Sequence, residues 1–152
     1  MQNTTFTRSP RLRIFLCPIH THNSKLNVEF LAAQSPSRSE QPLLLFLHGV
    51  TRCWQTFIPL MNGLYPRYEA IGLDFPGHGK SGRLNDYYVQ DHTQAVANWL
   101  QHDSQALIGD RSLIVYGHSL GGMVAARWPL NFRNKLRQSF WKTHHFVRWG
   151  NW

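Results

Sequence analysis

One six-residue segment constrains the fold more than any other part of the chain: residues 117–122, with the sequence Gly-His-Ser-Leu-Gly-Gly. It follows an apolar run over residues 112–116 and precedes a second, largely apolar stretch. This order predicts a strand, a sharp turn with Ser119 at its apex, and a helix. So tight a turn strains the serine backbone, and side chains at Gly117 or Gly121 would collide with the adjoining strand or helix. The pattern Gly-x-Ser-x-Gly in this setting is typical of a nucleophile elbow.

Apolar patterns elsewhere in the chain predict alternating strands and helices. Strands are predicted over residues 11–17, 26–32, 43–47, 68–73 and 112–116, and amphipathic helices over residues 54–64 and 91–100. Pro59 fits the first of these helices only in its first turn, and Asp91 is predicted as the N-cap of the second. The alternation favours an α/β fold with a mainly parallel sheet and helices on both faces.

Three glycine-bearing turns follow three of the predicted strands. They are residues 48–50 (His-Gly-Val), residues 74–81 (Asp-Phe-Pro-Gly-His-Gly-Lys-Ser) and the turn at Ser119. In an open α/β sheet, ligands bind outside the carboxyl ends of the strands. We therefore expect these three turns to converge on one rim of the sheet.

The three turns, taken in this order, resemble motifs of the α/β-hydrolase family over roughly residues 26–127. The resemblance implies the N-terminal half of an α/β-hydrolase fold, with the cap and the C-terminal strands absent. It also implies that Ser119 attacks the acyl carbonyl of an ester-like small-molecule substrate. The backbone N–H groups of Val50 and Leu120 would then form the oxyanion hole. Neither a cofactor nor a metal is expected.

The residues next to these turns have predicted supporting roles. Gly49 is expected to let the main chain approach the substrate pocket, with a plain turn glycine as the alternative. The resemblance implies that His48 supports the geometry of its loop and is not the triad base. His118, beside the nucleophile, is expected to pack and to orient the elbow.

The segment 74–81 is predicted to be architectural. Asp74 can accept hydrogen bonds from neighbouring backbone amides, and Gly77 and Gly79 permit tight turns. A phosphate-binding loop is the alternative for residues 77–81, although this segment lacks the four-residue spacer of a P-loop.

The resemblance implies an acid and a base histidine that follow the nucleophile in the chain. The chain has no Asp or Glu after Asp110, and it continues for 33 residues beyond Ser119. His144 and His145 are the histidines of this last part, and family topology would not bring them to the nucleophile. Whether the chain is an enzyme therefore stays open. The alternative is a non-catalytic truncated remnant, or an interaction protein, that lacks the triad acid and base.

The sequence divides into an N-terminal arm and first strand (residues 1–25), a partial α/β-hydrolase core (26–127) and a basic, Trp-rich tail (128–152). Residues 111–152 hold seven Lys or Arg, no Asp or Glu, and four of the six Trp. Pro129 interrupts the helix that follows the elbow. Three alternatives remain for the tail: a truncated or frameshifted ending, a weak sixth strand over residues 136–141, and a segment that binds a polyanion.

Composition constrains the remaining partners and the compartment. No apolar run approaches the ~20 residues that span a bilayer, and no specific nucleic-acid partner is expected. Cys17 and Cys53 have no close-spaced partner, which favours reduced thiols over a metal site. A cytoplasmic protein is predicted, with a transit peptide as the alternative because Arg8, Arg11 and Arg13 precede the first acid. An exposed sheet edge makes self-association a further expected interaction.

Overall fold

The computed structural model describes residues 19–20, 25–26, 28–31, 41–65, 67–102, 108–127 and 136–142. Two short strands, β1 (Ile19–His20) and β2 (Lys25–Leu26), pair antiparallel as a separate small sheet. Five further strands form the main sheet: β3 (Val28–Leu31), β4 (Leu43–Leu47), β5 (Ala70–Leu73), β6 (Leu113–His118) and β7 (Leu136–Lys142). The strand predicted over residues 11–17 lies outside the described residues.

The main sheet has the strand order β3-β5-β4-β6-β7. Strands β4, β5, β6 and β7 run parallel, and β3 pairs antiparallel with β5. At the centre, Leu45 of β4 stands opposite Ile71 of β5 and Val115 of β6. The prediction of a mainly parallel sheet is confirmed, and the carboxyl ends of β4, β5 and β6 therefore lie at one rim.

Helices cover both faces of this sheet, as predicted. A 3-10 helix (Trp54–Phe57) continues into α1 (Ile58–Leu64), and α2 (Val89–His102) and α3 (Leu120–Ala126) lie further along the described part of the chain. Pro59 lies in the first turn of α1, as the sequence requires. Its missing N–H removes no helical hydrogen bond there, because the first N–H groups of a helix have no acceptor within it.

The central strand β4 separates two parts of the core, because its successive side chains point to opposite faces of the sheet. Leu43, Leu45 and Leu47 pack together with residues of α2 and α3. Leu44 and Phe46 pack with residues of the 3-10 helix and α1. All five side chains of β4 are buried, which explains why this strand is a continuous apolar run in the sequence.

The start of α2 differs from its prediction. The helix begins at Val89, and Asp91 lies in its first turn. The Asp91 Oδ2 atom accepts a hydrogen bond from the Tyr88 N–H at 2.9 Å. The prediction of Asp91 as the N-cap is wrong, because the carboxylate reaches back to the residue before the helix from the third helical position. The aspartate still satisfies a backbone donor at this terminus, but the helix starts earlier than predicted.

Strand β7 occupies part of the segment for which the sequence left three alternatives. It pairs parallel with β6, with an irregularity of register between Leu113 and Ile114. The alternative of a strand over residues 136–141 is thus confirmed. β7 and β3 form the two edges of the sheet in the part of the chain that the structure describes. The predicted self-association would use one of these edges.

Two further observations concern membrane crossing and metal ligation. None of the helices within the described ranges has both the length and the apolar character needed to cross a bilayer. Within the same ranges, no group of three or more His, Cys, Asp or Glu side chains is arranged to hold a metal ion. Cys53 is a free, half-buried thiol.

Candidate active site

Ser119 lies at the apex of the turn between β6 and α3. Its backbone angles are φ 52° and ψ −114°, and of the non-glycine residues that the structure describes it alone has a positive φ. Holding an L-residue in such a conformation costs about 1–3 kcal/mol. Ser119 is exposed, whereas Leu120 after it is buried. The fold therefore presents a strained serine at the carboxyl end of a central strand.

Gly117 and Gly121 leave no room for a side chain on either side of this serine. A Cβ atom on Gly117 would come within 3.0 Å of backbone atoms of Gly121 and Gly122, closer than real Cβ atoms come to such neighbours. A Cβ atom on Gly121 would overlap the carbonyl group of Leu47 at the end of β4. The predicted collisions are confirmed, and they show that the elbow packs backbone against backbone on the central strand.

We expect Gly121→Ala to lower the free energy of unfolding by about 1–3 kcal/mol, because the added methyl group must displace the backbone of Leu47. Gly63→Ala in α1 is the matched control, since a Cβ atom there has no neighbour within 4 Å. It should raise the free energy of unfolding by about 0.5–1 kcal/mol through helix propensity. Urea denaturation measures both variants, and equal effects would contradict the close approach at Gly121.

The turn after β4 lies directly against the elbow. The Gly121 N–H donates a hydrogen bond to the His48 carbonyl oxygen at 3.0 Å. A Cβ atom on Gly49 would stand 2.9 Å from His118 Nδ1 and 3.4 Å from Ser119 Cβ. Gly49 does not have a positive φ. Its lack of a side chain is therefore explained by the close approach to the elbow and not by strain in the turn.

His48 is fully buried, and both of its ring nitrogens have partners. Nδ1 donates to the Gly49 carbonyl oxygen at 2.7 Å, and Nε2 accepts from the Phe75 N–H at 2.9 Å. This pairing selects the neutral tautomer with its proton on Nδ1. Burial is the main cause that lowers the pKa of His48 below the ordinary value of 6.5. Nearby His78 also lowers this pKa, while the bond to Gly49 and the carboxylate of Asp74 act in the opposite direction.

His48 thereby controls the direction of the peptide group between Gly49 and Val50. The Gly49 carbonyl oxygen accepts from His48 Nδ1 and also from the Arg52 N–H, the latter at 3.1 Å. Because a trans peptide is planar, holding its carbonyl oxygen fixes the opposite direction of the Val50 N–H. Among the described residues, no acceptor binds this N–H or that of Leu120, which is the first residue of α3.

The buried histidines are expected to make stability depend on pH. Burial is also the main cause that lowers the pKa of His92, which packs on Phe75 from α2. Between a lowered folded-state pKa and the ordinary value of 6.5, the unfolded chain binds more protons than the folded one. The free energy of unfolding should therefore be fully retained above about pH 6.5 and fall as the pH decreases toward the lowered pKa values, by at most about 1.4 kcal/mol per pH unit for each histidine.

Urea denaturation at a series of pH values measures this dependence of the free energy of unfolding on pH. His92→Phe should make it shallower, and an unchanged slope in that variant would count against the explanation.

Asp74 connects the turn of residues 74–81 to the 3-10 helix and to other residues of the same turn. It is buried, and its carboxylate accepts hydrogen bonds from the Trp54 N–H at 2.9 Å and from the Lys80 N–H at 3.1 Å. Its carbonyl oxygen accepts from Ser81 Oγ at 2.6 Å. A Cβ atom on Gly79, which has a φ of 50°, would overlap the Asp74 carboxylate. The predicted architectural role of this segment is confirmed.

The same bonds argue against a phosphate-binding loop at residues 77–81. The Gly77 N–H donates to the Gly82 carbonyl oxygen at 2.8 Å, and the Ser81 N–H donates to the His78 carbonyl oxygen at 3.0 Å. The Lys80 N–H is bound to Asp74. A phosphate loop needs backbone N–H groups that point at the ligand, and these three point back into the turn.

His78 of this segment also contacts the turn after β4, and sequence reasoning missed this contact. The His78 Nε2 atom forms a hydrogen bond with the Val50 carbonyl oxygen, and His78 Nδ1 lies 3.0 Å from the Pro76 carbonyl oxygen. The only signal in the sequence is a histidine between two turn glycines on the rim. His118 is half-buried, and its Nδ1 has no hydrogen-bond partner among the described residues. Its orienting role stays a prediction.

Comparison with known proteins identifies the class that this fold and site define. The sequence model of the alpha/beta hydrolase fold matches residues 42–138, which is more than half of the chain. The chain therefore belongs to the alpha/beta hydrolase fold family. The matched region contains all three turns of the rim.

Two curated relatives extend this comparison. The chain is 28% identical over 115 residues to a 2-(acetamidomethylene)succinate hydrolase of Mesorhizobium japonicum, and the match covers 72% of this chain and 40% of the relative. It is 33% identical over 93 residues to a 2-succinyl-6-hydroxy-2,4-cyclohexadiene-1-carboxylate synthase of Yersinia enterocolitica, covering 60% of this chain and 32% of the relative. The chain thus spans well under half the length of these two relatives.

A solved structure gives the same picture of the fold. A thioesterase domain from the curacin biosynthetic pathway superposes with a TM-score of 0.67 at 19% identity, covering 81% of this chain and 43% of that domain. The described strands and helices therefore correspond to the N-terminal half of the α/β-hydrolase fold, as the resemblance implied.

Proposed function

We propose that this chain is a serine hydrolase that cleaves an ester-like acyl bond through Ser119. One observation carries the proposal: the exposed, strained serine lies against the turn that bears the Val50 N–H, since a Cβ atom on Gly49 would be 3.4 Å from Ser119 Cβ. A nucleophile beside a turn that carries a fixed backbone donor is what acyl transfer requires. The wider family supports the reaction class but hosts several chemistries.

The proposed reaction has two steps. Ser119 Oγ attacks the acyl carbonyl carbon, and the electron pair of the C=O bond moves to the oxygen, which becomes an oxyanion. The N–H groups of Val50 and Leu120 stabilise this oxyanion, at ~3 kcal/mol for each donor. Collapse of the intermediate expels the alcohol with a proton and leaves an acyl ester on Ser119. Water then attacks the ester, which releases the carboxylic acid and restores the serine.

Ser119 also needs a base that takes its proton. His48 is unsuited to this role, because one ring nitrogen donates to Gly49 and the other accepts from Phe75. His144 and His145 lie outside the described residues, and each remains a candidate base of this chain. The base is thus the part of the proposal that experiment must locate.

The two relatives differ in the reaction that their names state, since one is a hydrolase and the other a synthase. Two donors hold the carbonyl side of the Gly49–Val50 peptide, and this supports a reaction that passes through an oxyanion, as acyl hydrolysis does. This arrangement orients a backbone N–H before any substrate binds, as stabilisation of an oxyanion demands.

Reaction of the purified protein with a fluorophosphonate probe tests the proposal. The probe forms a covalent bond only with an activated serine, and it needs no known substrate. Labelling should occur in the wild-type chain and disappear in Ser119→Ala.

A further inference from the structure

The imidazole of His78 lies between two backbone carbonyl groups. Its Nδ1 atom is 3.0 Å from the Pro76 carbonyl oxygen, and its Nε2 atom is hydrogen-bonded to the Val50 carbonyl oxygen. A carbonyl oxygen only accepts hydrogen bonds, so each ring nitrogen must carry a proton to donate. A histidine with protons on both nitrogens is an imidazolium cation. The two contacts are therefore satisfied together only by a His78 ring that carries a proton on each nitrogen.

Two histidine rings flank His78, and neither competes for this charge. The ring centroids of His48 and His92 lie 5.0 Å and 5.9 Å from that of His78. Burial lowers the pKa of both residues, and the proximity of His78 lowers them further, although Asp91 opposes this at His92. His48 is held neutral by its own hydrogen bonds. His78 is half-buried, whereas His48 and His92 are buried.

The other ionisable groups around His78 belong to its own loop, to the turn of Val50 and to the segment before α2. The Asp74 carboxylate lies 4.0 Å from His48 Nε2 and so places a negative charge next to the His48 ring. Lys80 and Arg52 are exposed. Tyr87 packs on Gly77, and its hydroxyl accepts from a backbone N–H. Asp86 in the segment before α2 is exposed, and Asp91 in the first turn of α2 accepts a hydrogen bond from the Tyr88 N–H.

We propose that His78 is a positioning residue for the oxyanion hole, and that its imidazolium holds the Val50 carbonyl group in place. The proposal rests on the proposed function. Val50 is then fixed from both sides: neutral His48 holds the peptide before it, and charged His78 holds the peptide after it. Loss of the proton from His78 leaves a nitrogen lone pair facing a carbonyl oxygen. The remaining proton stays on Nδ1, where the Pro76 carbonyl oxygen accepts it, so the contact of Nε2 with the Val50 carbonyl oxygen becomes repulsive and the turn is released.

Nuclear magnetic resonance tests this contact without any need for activity. Nitrogen-15 spectra of the histidine rings and the carbonyl carbon shift of Val50 should be followed from about pH 5 to about pH 9, the range in which histidines titrate. Both His78 nitrogens should be protonated at the acidic end, where the Val50 carbonyl shift should report the bound state. The Val50 shift should move in step with the His78 ring. In His78→Gln this step should be absent.

Probe labelling tests the consequence for the site. Misplacing the turn in His78→Gln should slow labelling of Ser119 by about tenfold to a hundredfold. His78→Arg keeps a donor that is always charged, and it should recover part of the rate and remove the pH-dependent difference from wild type. His102→Gln, at the exposed end of α2, is the control and should change neither measurement.

The outcomes separate the two proposals. A Val50 shift that ignores the titration of His78, or labelling of His78→Gln at the wild-type rate across the pH range, would overturn the role of His78. A folded wild-type protein that the probe does not label at any pH would overturn the proposed function instead. The titration of the Val50 carbonyl would still decide whether His78 holds this turn.

Discussion

Ser119→Ala is expected to remove fluorophosphonate labelling completely, while the folded structure is retained. The Ser119 hydroxyl supplies the nucleophilic oxygen at the apex of the turn, and Gly117 and Gly121, two positions away on either side, carry no side chain that could replace it. Alanine keeps the same strained backbone, so the elbow itself should survive the change. Gel fluorescence after labelling, with circular dichroism of both proteins, measures the two expectations together.

Ser112→Ala is the matched control for this experiment. Ser112 precedes β6 at the end opposite to the elbow, and the hydrogen bond recorded for it uses its backbone carbonyl group, which accepts from the Leu43 N–H at 2.9 Å. Labelling should be unchanged in this variant. His144→Ala and His145→Ala then locate the base, because the variant that lacks it should lose labelling with Ser119 intact. Absence of labelling in the folded wild-type protein would favour a non-catalytic or interaction protein.

Asp74→Ala is expected to lower the free energy of unfolding by about 3–5 kcal/mol, the largest change in stability that we expect from a single side chain here. The substitution leaves the N–H groups of Trp54 and Lys80 without their acceptor. Trp54 is buried, so water cannot replace the lost bond at the start of the 3-10 helix without opening the core. The tight turn at Gly79, which is shaped around the carboxylate, would also lose its support.

Asp86→Ala controls for the loss of a negative charge. Asp86 is exposed in the same long connection between β5 and α2, and its replacement should change stability by no more than about 0.5 kcal/mol. Urea denaturation at neutral pH compares the two variants with wild type. A difference below about 1 kcal/mol between them would show that Asp74 does not hold the rim together.

The parts of the fold that the sequence predicted well depend on local sterics and on periodicity. The elbow at Ser119 was predictable because two glycines at fixed spacing have one steric explanation in a strand-turn-helix setting. The apolar run of β4 and the position of Pro59 were predictable for the same kind of reason, since each is governed by its immediate neighbours. The architectural role of Asp74 followed from the turn chemistry of its own segment.

The parts that the sequence predicted poorly depend on contacts between distant segments. Asp91 is a residue type that favours the N-cap, but α2 begins at Val89, two residues before it, and the Asp91 carboxylate accepts its hydrogen bond from within the first turn. Strand β7 was one of three alternatives for its segment, because its basic and aromatic residues do not follow a clear strand or helix periodicity. Its strand structure depends on pairing with β6. The contact of His78 with Val50 joins residues 28 positions apart, and no local pattern encodes it.

The hydrogen bonds of the rim run across the strands and not along them. The Gly121 N–H at the start of α3 donates to the His48 carbonyl oxygen after β4, and the Phe75 N–H after β5 donates to the His48 ring. The Asp74 carboxylate accepts from the Trp54 N–H of the 3-10 helix. Each of the three turns thus completes the hydrogen bonding of another. A turn transplanted singly from a homologous protein would leave donors or acceptors of its neighbours unmatched. The three turns are therefore exchangeable between proteins only as a set, which makes the rim, and not the single motif, the unit on which selection or engineering can act.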